Sequence, residues 1–231
     1  MTQATLNPAS TKIQSETAAP ALQPMPRIGD TAPDFTAPTT QGEITFSAWQ
    51  AGDWVILFSH PADFTPVCST ELTEFAKRFE EFRSRKTKLI GLSIDSVHSH
   101  LAWIRNLQEI LKVRICYPMI ADLSTDVAQK YGMIHPGAST TVTVRTLFVI
   151  DPKRVLRAII YYPLNVGRNV DEVIRLLDAL QTADAKGVAC PVNWKPGEKV
   201  IVPPPKTETE VEERLKGNYE RFDFYLCKKQ V

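Results

Sequence analysis

This sequence of 231 residues lacks long apolar runs, a large net charge of either sign and paired cysteine motifs. A helix that crosses a bilayer needs about 18 or more consecutive apolar residues, and no stretch approaches that length. The formal net charge is +1, so no overall field favours nucleic acid or a membrane surface as a partner. The first residues show neither the apolar core nor the cleavage-site pattern of a signal peptide. We therefore expect a cytoplasmic protein.

Cysteine is scarce, and the four cysteines stand far apart, at Cys68, Cys116, Cys190 and Cys227. No two of them form a CxxC motif and no histidine lies at metal-ligand spacing, which argues against a zinc site or an iron–sulfur cluster. Four cysteines in a chain of this size also do not resemble the framework of a small secreted disulfide-rich domain. We therefore expect the cysteines to be free, reactive thiols in a reducing compartment.

The chain divides by composition into three parts. Residues 1–26 are rich in Ala, Thr, Ser, Gln and Pro and show no apolar period, so we predict a disordered extension there. Residues 27–186 carry the patterns of regular structure and are predicted to form one folded domain. Residues 187–231 form a C-terminal segment that prolines interrupt.

Strands and helices alternate through the middle part. Apolar runs of strand length predict buried strands at 54–59, 88–94, 117–120 and 146–150. Apolar residues at helical spacing predict helices at 71–85, 100–111, 124–131 and 169–183. Residues 155–162 follow an Asp-Pro turn and predict a hairpin with the strand before it. This order predicts an α/β fold with a mixed central sheet flanked by helices.

The C-terminal part has a different character. Pro191, Pro196 and the prolines at 203–205 prevent regular structure around them, and a short amphipathic helix is predicted at 208–216. Aromatic residues then follow at Tyr219, Phe222, Phe224 and Tyr225. We expect an extended arm this apolar to pack on another surface, and a second subunit is the natural candidate.

The most informative segment is 59–72, between a predicted strand and a predicted helix. Cys68 falls in or next to the first turn of that helix, where free N–H groups and the helix dipole favour an anion, and the thiolate is the nucleophilic form of cysteine. Thr65 precedes Cys68 by one helical turn, so its hydroxyl can lie beside the sulfur. Pro61 and Pro66 stiffen the loop. An isolated buried cysteine is usually an inert apolar residue. The helix start and the neighbouring Thr65 instead predict that Cys68 is reactive.

These residues resemble a known family. Pro61-x-x-x-Thr65-x-x-Cys68 is similar to the signature loop of the peroxiredoxins, and the longer string SHPADFTPVCSTEL resembles their one-Cys subfamily. Further stretches that match in order are 29–30, 32–35, 95–103, 128–133, 145–152, 162–169 and 191–197. The resemblance implies a thioredoxin-like fold and a thiol peroxidase that reduces hydrogen peroxide and organic hydroperoxides through a sulfenic acid. It implies no metal and no organic cofactor.

The resemblance also implies roles for single residues. Cys68 would attack the peroxide and become a sulfenic acid, while its own N–H and the Thr65 hydroxyl bind the substrate. Arg145 corresponds to the substrate-contacting arginine of the family, and its charged fork would hold both thiolate and peroxide. Glu71 would orient Arg145, and Arg168 would complete the charged pocket.

Histidine 60 is open to two interpretations. His60 matches a subgroup position and can hydrogen-bond near the sulfur, or it is a satisfied histidine at the end of a strand.

The recycling of the sulfenic acid stays open between two routes. Cys190, in the string Cys190-Pro191-x-x-Trp194, resembles the resolving cysteine of two-Cys members, which reaches the active site of a neighbouring subunit. Cys227 is a second candidate, and Cys116 is expected to be structural. In a one-Cys route the reductant is an external thiol such as thioredoxin or glutathione. A homodimer is the minimum assembly expected, with a ring of dimers as the alternative.

Two other classes compete with a peroxidase. A thioredoxin-like disulfide reductase would normally carry CxxC, and Thr65 stands where its first cysteine would be. A chaperone or scaffold would use the apolar arm but does not require Pro61, Thr65, Cys68 and Arg145. The lipase-like Gly-x-Ser-x-Gly string of some one-Cys relatives is absent, so phospholipase activity is not expected.

Overall fold

A mixed sheet of seven strands forms the centre of the computed structural model, which describes residues 25–231. The strands are β1 (Thr36–Thr39), β2 (Gly42–Thr45), β3 (Trp54–Ser59), β4 (Thr87–Ser93), β5 (Met119–Ala121), β6 (Arg145–Ile150) and β7 (Leu156–Tyr162). They lie in the order β2-β1-β5-β4-β3-β6-β7. Strands β3, β4 and β5 are parallel, and the other neighbours pair antiparallel. The predicted mixed sheet and its closing hairpin, β6 with β7, are confirmed.

Helices cover both faces of this sheet. They are α1 (Phe46–Gln50), α2 (Pro66–Lys77), α3 (Phe79–Ser84), α4 (Val97–Leu111), α5 (Asp126–Lys130) and α6 (Val170–Lys186). A further helix, α7 (Glu208–Lys216), lies in the C-terminal part and has no buried residue. The single helix predicted at 71–85 is interrupted at Arg78, whose ψ of 11° lies outside the helical range. The apolar period runs through the interruption because Phe75 and Phe82 both stay buried, so periodicity alone did not reveal the break.

The central strands explain where the core lies. All six residues of β3 and all six of β6 are buried, as expected for strands with both faces covered. Because side chains alternate along a strand, Ile56 and Phe58 pack with α2 and α6, while Val55 and Leu57 join the opposite cluster. Two apolar layers therefore hold the end of β3 and the start of α2 firmly in place.

The C-terminal part contains more regular structure than the sequence predicts. Strands β8 (Val200–Ile201), β9 (Glu220–Asp223) and β10 (Leu226–Lys229) form a second sheet in the order β8-β10-β9. The predicted C-terminal arm is confirmed, as is its helix at 208–216, and the small sheet is an element of the arm that the prolines did not lead us to expect. The prolines at 203–205 do not prevent the sheet because they lie between β8 and α7. Trp194 is buried against Ala179 of α6, so this part also packs on its own chain.

Two expectations lie outside this description. The disordered extension predicted for 1–26 falls outside the described residues except for Met25 and Pro26, and the division of the chain near residue 187 stays a prediction. Within the described residues, no helix combines the length and the apolar character that crossing a membrane requires.

Candidate active site

The end of β3, the start of α2 and the start of β6 meet at one edge of the large sheet. β3 ends at Ser59, and residues 60–65 lead into α2. Since β6 runs antiparallel to β3, its first residue, Arg145, lies at the edge where β3 ends. The fold thus brings Arg145 beside Cys68, which is 77 positions earlier in the chain.

Cys68 is the third residue of α2, and 0% of its surface is exposed. The N–H groups of a first turn have no partner within the helix, and the positive end of the helix dipole lies there. Arg145 Nη1 donates a hydrogen bond to the Cys68 sulfur at 3.3 Å. The helix start and the guanidinium both favour an anion at this sulfur, and a thiolate is the nucleophilic form.

Glu71 connects the two buried arginines. Its Oε2 accepts from Arg145 Nη1 at 2.6 Å and from Arg168 Nη2 at 2.8 Å, and its Oε1 accepts from the Arg168 backbone N–H and Nε. Burial alone would raise the pKa of Glu71, but the charge and hydrogen bonds of Arg168, with the charge of Arg145, outweigh it and lower that pKa. Glu71 is therefore an ionised anchor for both guanidinium groups.

Arg168, which the resemblance assigns to the substrate pocket, is engaged by the protein at each nitrogen of its guanidinium. Besides its bonds to Glu71, its Nη1 donates to the carbonyl oxygens of Ser59 and Thr146 at 3.0 and 2.9 Å. The guanidinium also lies over the ring of Phe58, 5.2 Å from the centroid. These contacts favour a part in positioning Glu71, and Arg145 is the arginine that meets the sulfur.

The loop before Cys68 is held by its own hydrogen bonds. The Thr65 hydroxyl donates to the Ala62 carbonyl oxygen at 2.9 Å, so its proton is already used while its lone pairs remain acceptors. Pro61 is buried at the start of the loop. Phe64 adopts a left-handed φ of 55° with 57% of its surface exposed, a strained conformation of the kind that clusters at functional sites.

His60 contacts a carboxylate. Its Nε2 lies 3.0 Å from Asp63 Oδ1, and within residues 25–231 its Nδ1 has no hydrogen-bond partner. Asp63 also meets His100 Nδ1 at 2.8 Å. Sequence analysis singled out neither Asp63 nor His100, although Asp63 lies in the signature loop and His100 in the matched stretch 95–103. The three donor atoms lie within 4.8 Å of one another, a spacing that a metal ion could also bridge.

Comparison with known proteins decides the family. The AhpC/TSA family model matches residues 28–159, and the model of the C-terminal domain of 1-Cys peroxiredoxin matches residues 179–218. The chain belongs to the peroxiredoxin family. A peroxiredoxin of Aquifex aeolicus is 56% identical to it over 217 residues, covering 90% of this chain and 98% of the relative. A peroxiredoxin of Methanosarcina mazei is 53% identical over 215 residues, covering 89% and 98%.

Solved peroxiredoxin structures share its fold. A yeast mitochondrial 1-Cys peroxiredoxin, whose thiol-resolving mechanism runs via glutathione/thioredoxin systems, is 44% identical with a TM-score of 0.82, covering 90% of this chain and 100% of the yeast chain. A reduced 2-Cys peroxiredoxin of Plasmodium vivax is 28% identical with a TM-score of 0.69, covering 75% and 92%. The thioredoxin-like fold is thereby confirmed. This peroxiredoxin is a thiol-dependent peroxidase that reduces hydrogen peroxide and organic hydroperoxides through a cysteine sulfenic acid.

The other cysteines of this peroxiredoxin differ in accessibility. Cys190 is half-buried, its thiol donates to the Ala179 carbonyl oxygen at 3.4 Å, and Val192, two residues on, is 89% exposed. Burial raises the pKa of Cys190, while the charge of Arg175 opposes that rise. Cys227 is fully buried in β10, where its thiol lies 3.3 Å from the Asp223 carbonyl oxygen. Of the two candidate resolving thiols, Cys190 is the more accessible.

Proposed function

We propose that Cys68 is the attacking thiol of this peroxidase and that Arg145 stabilises its thiolate and holds the peroxide. The observation that supports this most is the 3.3 Å hydrogen bond from Arg145 Nη1 to the Cys68 sulfur, made inside a buried charged network. Arg145 Nε and Nη2 donate to the Leu164 carbonyl oxygen at 3.0 and 2.8 Å. These bonds hold the guanidinium plane and present Nη1 to the sulfur, where its proton can be shared with a bound peroxide oxygen.

The reaction follows from this arrangement. A lone pair of the Cys68 thiolate attacks one peroxide oxygen, the S–O bond forms as the O–O bond breaks, and the second oxygen leaves as hydroxide or alkoxide. That anion takes up a proton and becomes water or alcohol. Sulfur is oxidised by two electrons to the sulfenic acid and the peroxide is reduced by two. The Thr65 hydroxyl oxygen accepts the peroxide O–H, and the Cys68 N–H and Arg145 donate to its oxygens.

Charge balance supports an ionised Cys68 before the reaction. Arg145 and Arg168 contribute two positive charges, and Glu71 with a Cys68 thiolate contributes two negative charges. An uncompensated buried charge is costly, so the thiolate completes a neutral group. The sulfenic acid is uncharged, and its formation leaves one excess positive charge in the network. This excess stabilises the leaving oxyanion, and it also destabilises the closed site once that anion departs.

The attacking sulfur can be identified chemically. We expect dimedone, which labels sulfenic acids, to add to the Cys68 peptide when the reduced chain receives one equivalent of hydrogen peroxide. Peptide mass spectrometry locates the adduct, and samples without peroxide serve as the control. Labelling of Cys116, Cys190 or Cys227 with an unlabelled Cys68 peptide would contradict the assignment.

Recycling requires the first turn of α2 to open, because the Cys68 sulfur is fully buried. We propose Cys190 of a second subunit as the resolving thiol in a homodimer or ring of dimers, which its partial exposure and the exposed Val192 beside it support. The alternative is direct reduction by a thiol such as thioredoxin or glutathione. The match to the 1-Cys C-terminal domain and the yeast relative favour that route. The four free thiols of the chain support a reducing, cytoplasmic location.

A gel experiment separates the two recycling routes. If Cys190 resolves the sulfenic acid, one equivalent of peroxide will produce a covalent dimer on non-reducing gels with the native chain and with Cys227→Ser, but not with Cys190→Ser. The Cys227→Ser chain is the matched control because it removes the other candidate thiol. A covalent dimer that survives in Cys190→Ser excludes Cys190, and native protein that forms no dimer favours direct reduction by an external thiol.

A further inference from the structure

Three buried polar side chains beside the active-site loop have no part in the peroxide step described above. His60 and His100 are each 0% exposed and Asp63 is 7% exposed. They come from three places in the fold: the end of β3, the loop before α2, and α4. Burying ionisable groups without pairing them is costly, so each of these groups is expected to have hydrogen-bond partners. The donors and acceptors among those partners determine which atoms carry protons.

His100 must carry a proton on its Nε2. That atom lies 3.1 Å from the Ile120 carbonyl oxygen, and a carbonyl oxygen only accepts. The other ring nitrogen, Nδ1, lies 2.8 Å from Asp63 Oδ2 and 3.0 Å from Oδ1. Since an ionised carboxylate also only accepts, a second proton lies between His100 and Asp63.

This second proton belongs to His100. The Asp63 carboxylate also accepts from the Ser99 hydroxyl at 2.8 Å and meets His60 Nε2 at 3.0 Å, and several donors around one carboxylate favour its ionised form. Burial by itself would raise the pKa of Asp63, but hydrogen bonds from His100 and His60 outweigh it and hold that pKa well below its usual value. His100 is then an imidazolium, and the two residues form a buried ion pair.

The ion pair determines the tautomer of His60. Burial lowers the pKa of His60, so the ring is neutral and carries one proton. Because Asp63 Oδ1 accepts at Nε2, that proton is on Nε2 and Nδ1 keeps a bare lone pair.

Asp63 also anchors the loop through its backbone, since its N–H donates to Asp95 Oδ2 at 3.0 Å.

We propose that Asp63 and His100 are positioning residues, whose ion pair fixes His60 in the Nε2–H tautomer and anchors the loop that leads into the Cys68 turn. The His60 ring lies 5.4 Å from that of Trp103, which belongs to the same buried cluster as Cys68. The loop carries Thr65, so its placement sets the geometry in which peroxide meets the sulfur. This inference rests on the proposed attack by Cys68.

Asp63→Asn tests the pair with little change in shape. In one orientation the new amide donates to a neutral His100 Nδ1 and its oxygen accepts from His60 Nε2. In the reverse orientation its oxygen accepts from His100 and its N–H donates to His60. Hydrogen bonds therefore survive, but the ion pair is lost and His60 is no longer fixed in a single tautomer. We expect the second-order rate constant of Cys68 oxidation, followed by stopped-flow fluorescence, to fall by about tenfold or more, as happens when a histidine loses the carboxylate that fixes its tautomer. The matched control is His98→Asn, an exposed histidine on the same helix, with an unchanged rate.

Nitrogen-15 NMR of the reduced native chain reads the protonation states without any variant. We expect His100 to show two protonated ring nitrogens and His60 to show one, at Nε2, and we expect Asp63→Asn to remove the His100 imidazolium signature. A neutral His100 in the native chain, an oxidation rate of Asp63→Asn equal to the native rate, or a stoichiometric metal ion on the purified protein would overturn the proposal. The NMR result does not depend on Cys68, so its failure is distinguishable from failure of the proposed mechanism, which dimedone labelling reports.

Discussion

Replacing Cys68 with serine will abolish peroxide reduction, lowering turnover by roughly a thousandfold or more, the scale on which the loss of a catalytic nucleophile acts. The change exchanges sulfur for oxygen in a side chain of nearly the same shape. A serine hydroxyl lacks the nucleophilic sulfur that the proposed attack on peroxide requires. We also expect no sulfenic acid, because the sulfur that lies 3.3 Å from Arg145 Nη1 is the atom removed.

The measurement is peroxide consumption with a thiol reductant in excess. Cys116→Ser is the matched control, since Cys116 lies just before β5 and, among the described residues, no hydrogen bond joins it to the charged network. It should keep the native rate. Peroxide consumption that persists in Cys68→Ser at the native level would refute the proposed mechanism.

Arg145→Lys will lower the rate constant of Cys68 oxidation by about a hundredfold to a thousandfold, the cost of removing one well-placed donor from an oxyanion site. Lysine keeps the positive charge and therefore the neutral balance of the network. It cannot replace the planar guanidinium, which has several donors in a fixed geometry. Nη1 of Arg145 donates to Glu71 and to the sulfur, while Nε and Nη2 donate to the Leu164 carbonyl oxygen. The expected loss therefore measures geometry and not charge.

Stopped-flow oxidation of the reduced chain measures this rate without the recycling steps. Arg83→Lys provides the control, because Arg83 is an exposed arginine paired with Glu80 on α3, and an exposed pair of this kind contributes little to stability. Unfolding by denaturant should show that Arg145→Lys is still folded. An oxidation rate close to native in a folded Arg145→Lys chain would show that charge alone suffices at this position.

Local patterns in the sequence determined much of the fold. The run at 54–59 is continuous and apolar, and it is β3 with the same bounds. A strand buried on both faces is apolar at every position, so the local sequence alone reveals it. The helix predicted at 169–183 is α6, and the Asn169 side chain caps its start by accepting from the Glu172 N–H. The C-terminal sheet was missed because its strands are only two to four residues long, too short to establish an alternation.

The sequence by itself determined that a cysteine stands at the start of a helix after a buried strand, with Thr65 one helical turn before it. The family resemblance added Arg145, Glu71 and Arg168. Only the tertiary structure decided which of these groups meet. The antiparallel register of β3 and β6 places Arg145 at the sulfur, and it leaves Arg168 bound to Glu71 and to backbone carbonyls. The pairing of Asp63 with His100 also needed the fold, because hydrogen bonds between residues 37 positions apart leave no periodic trace in a single sequence.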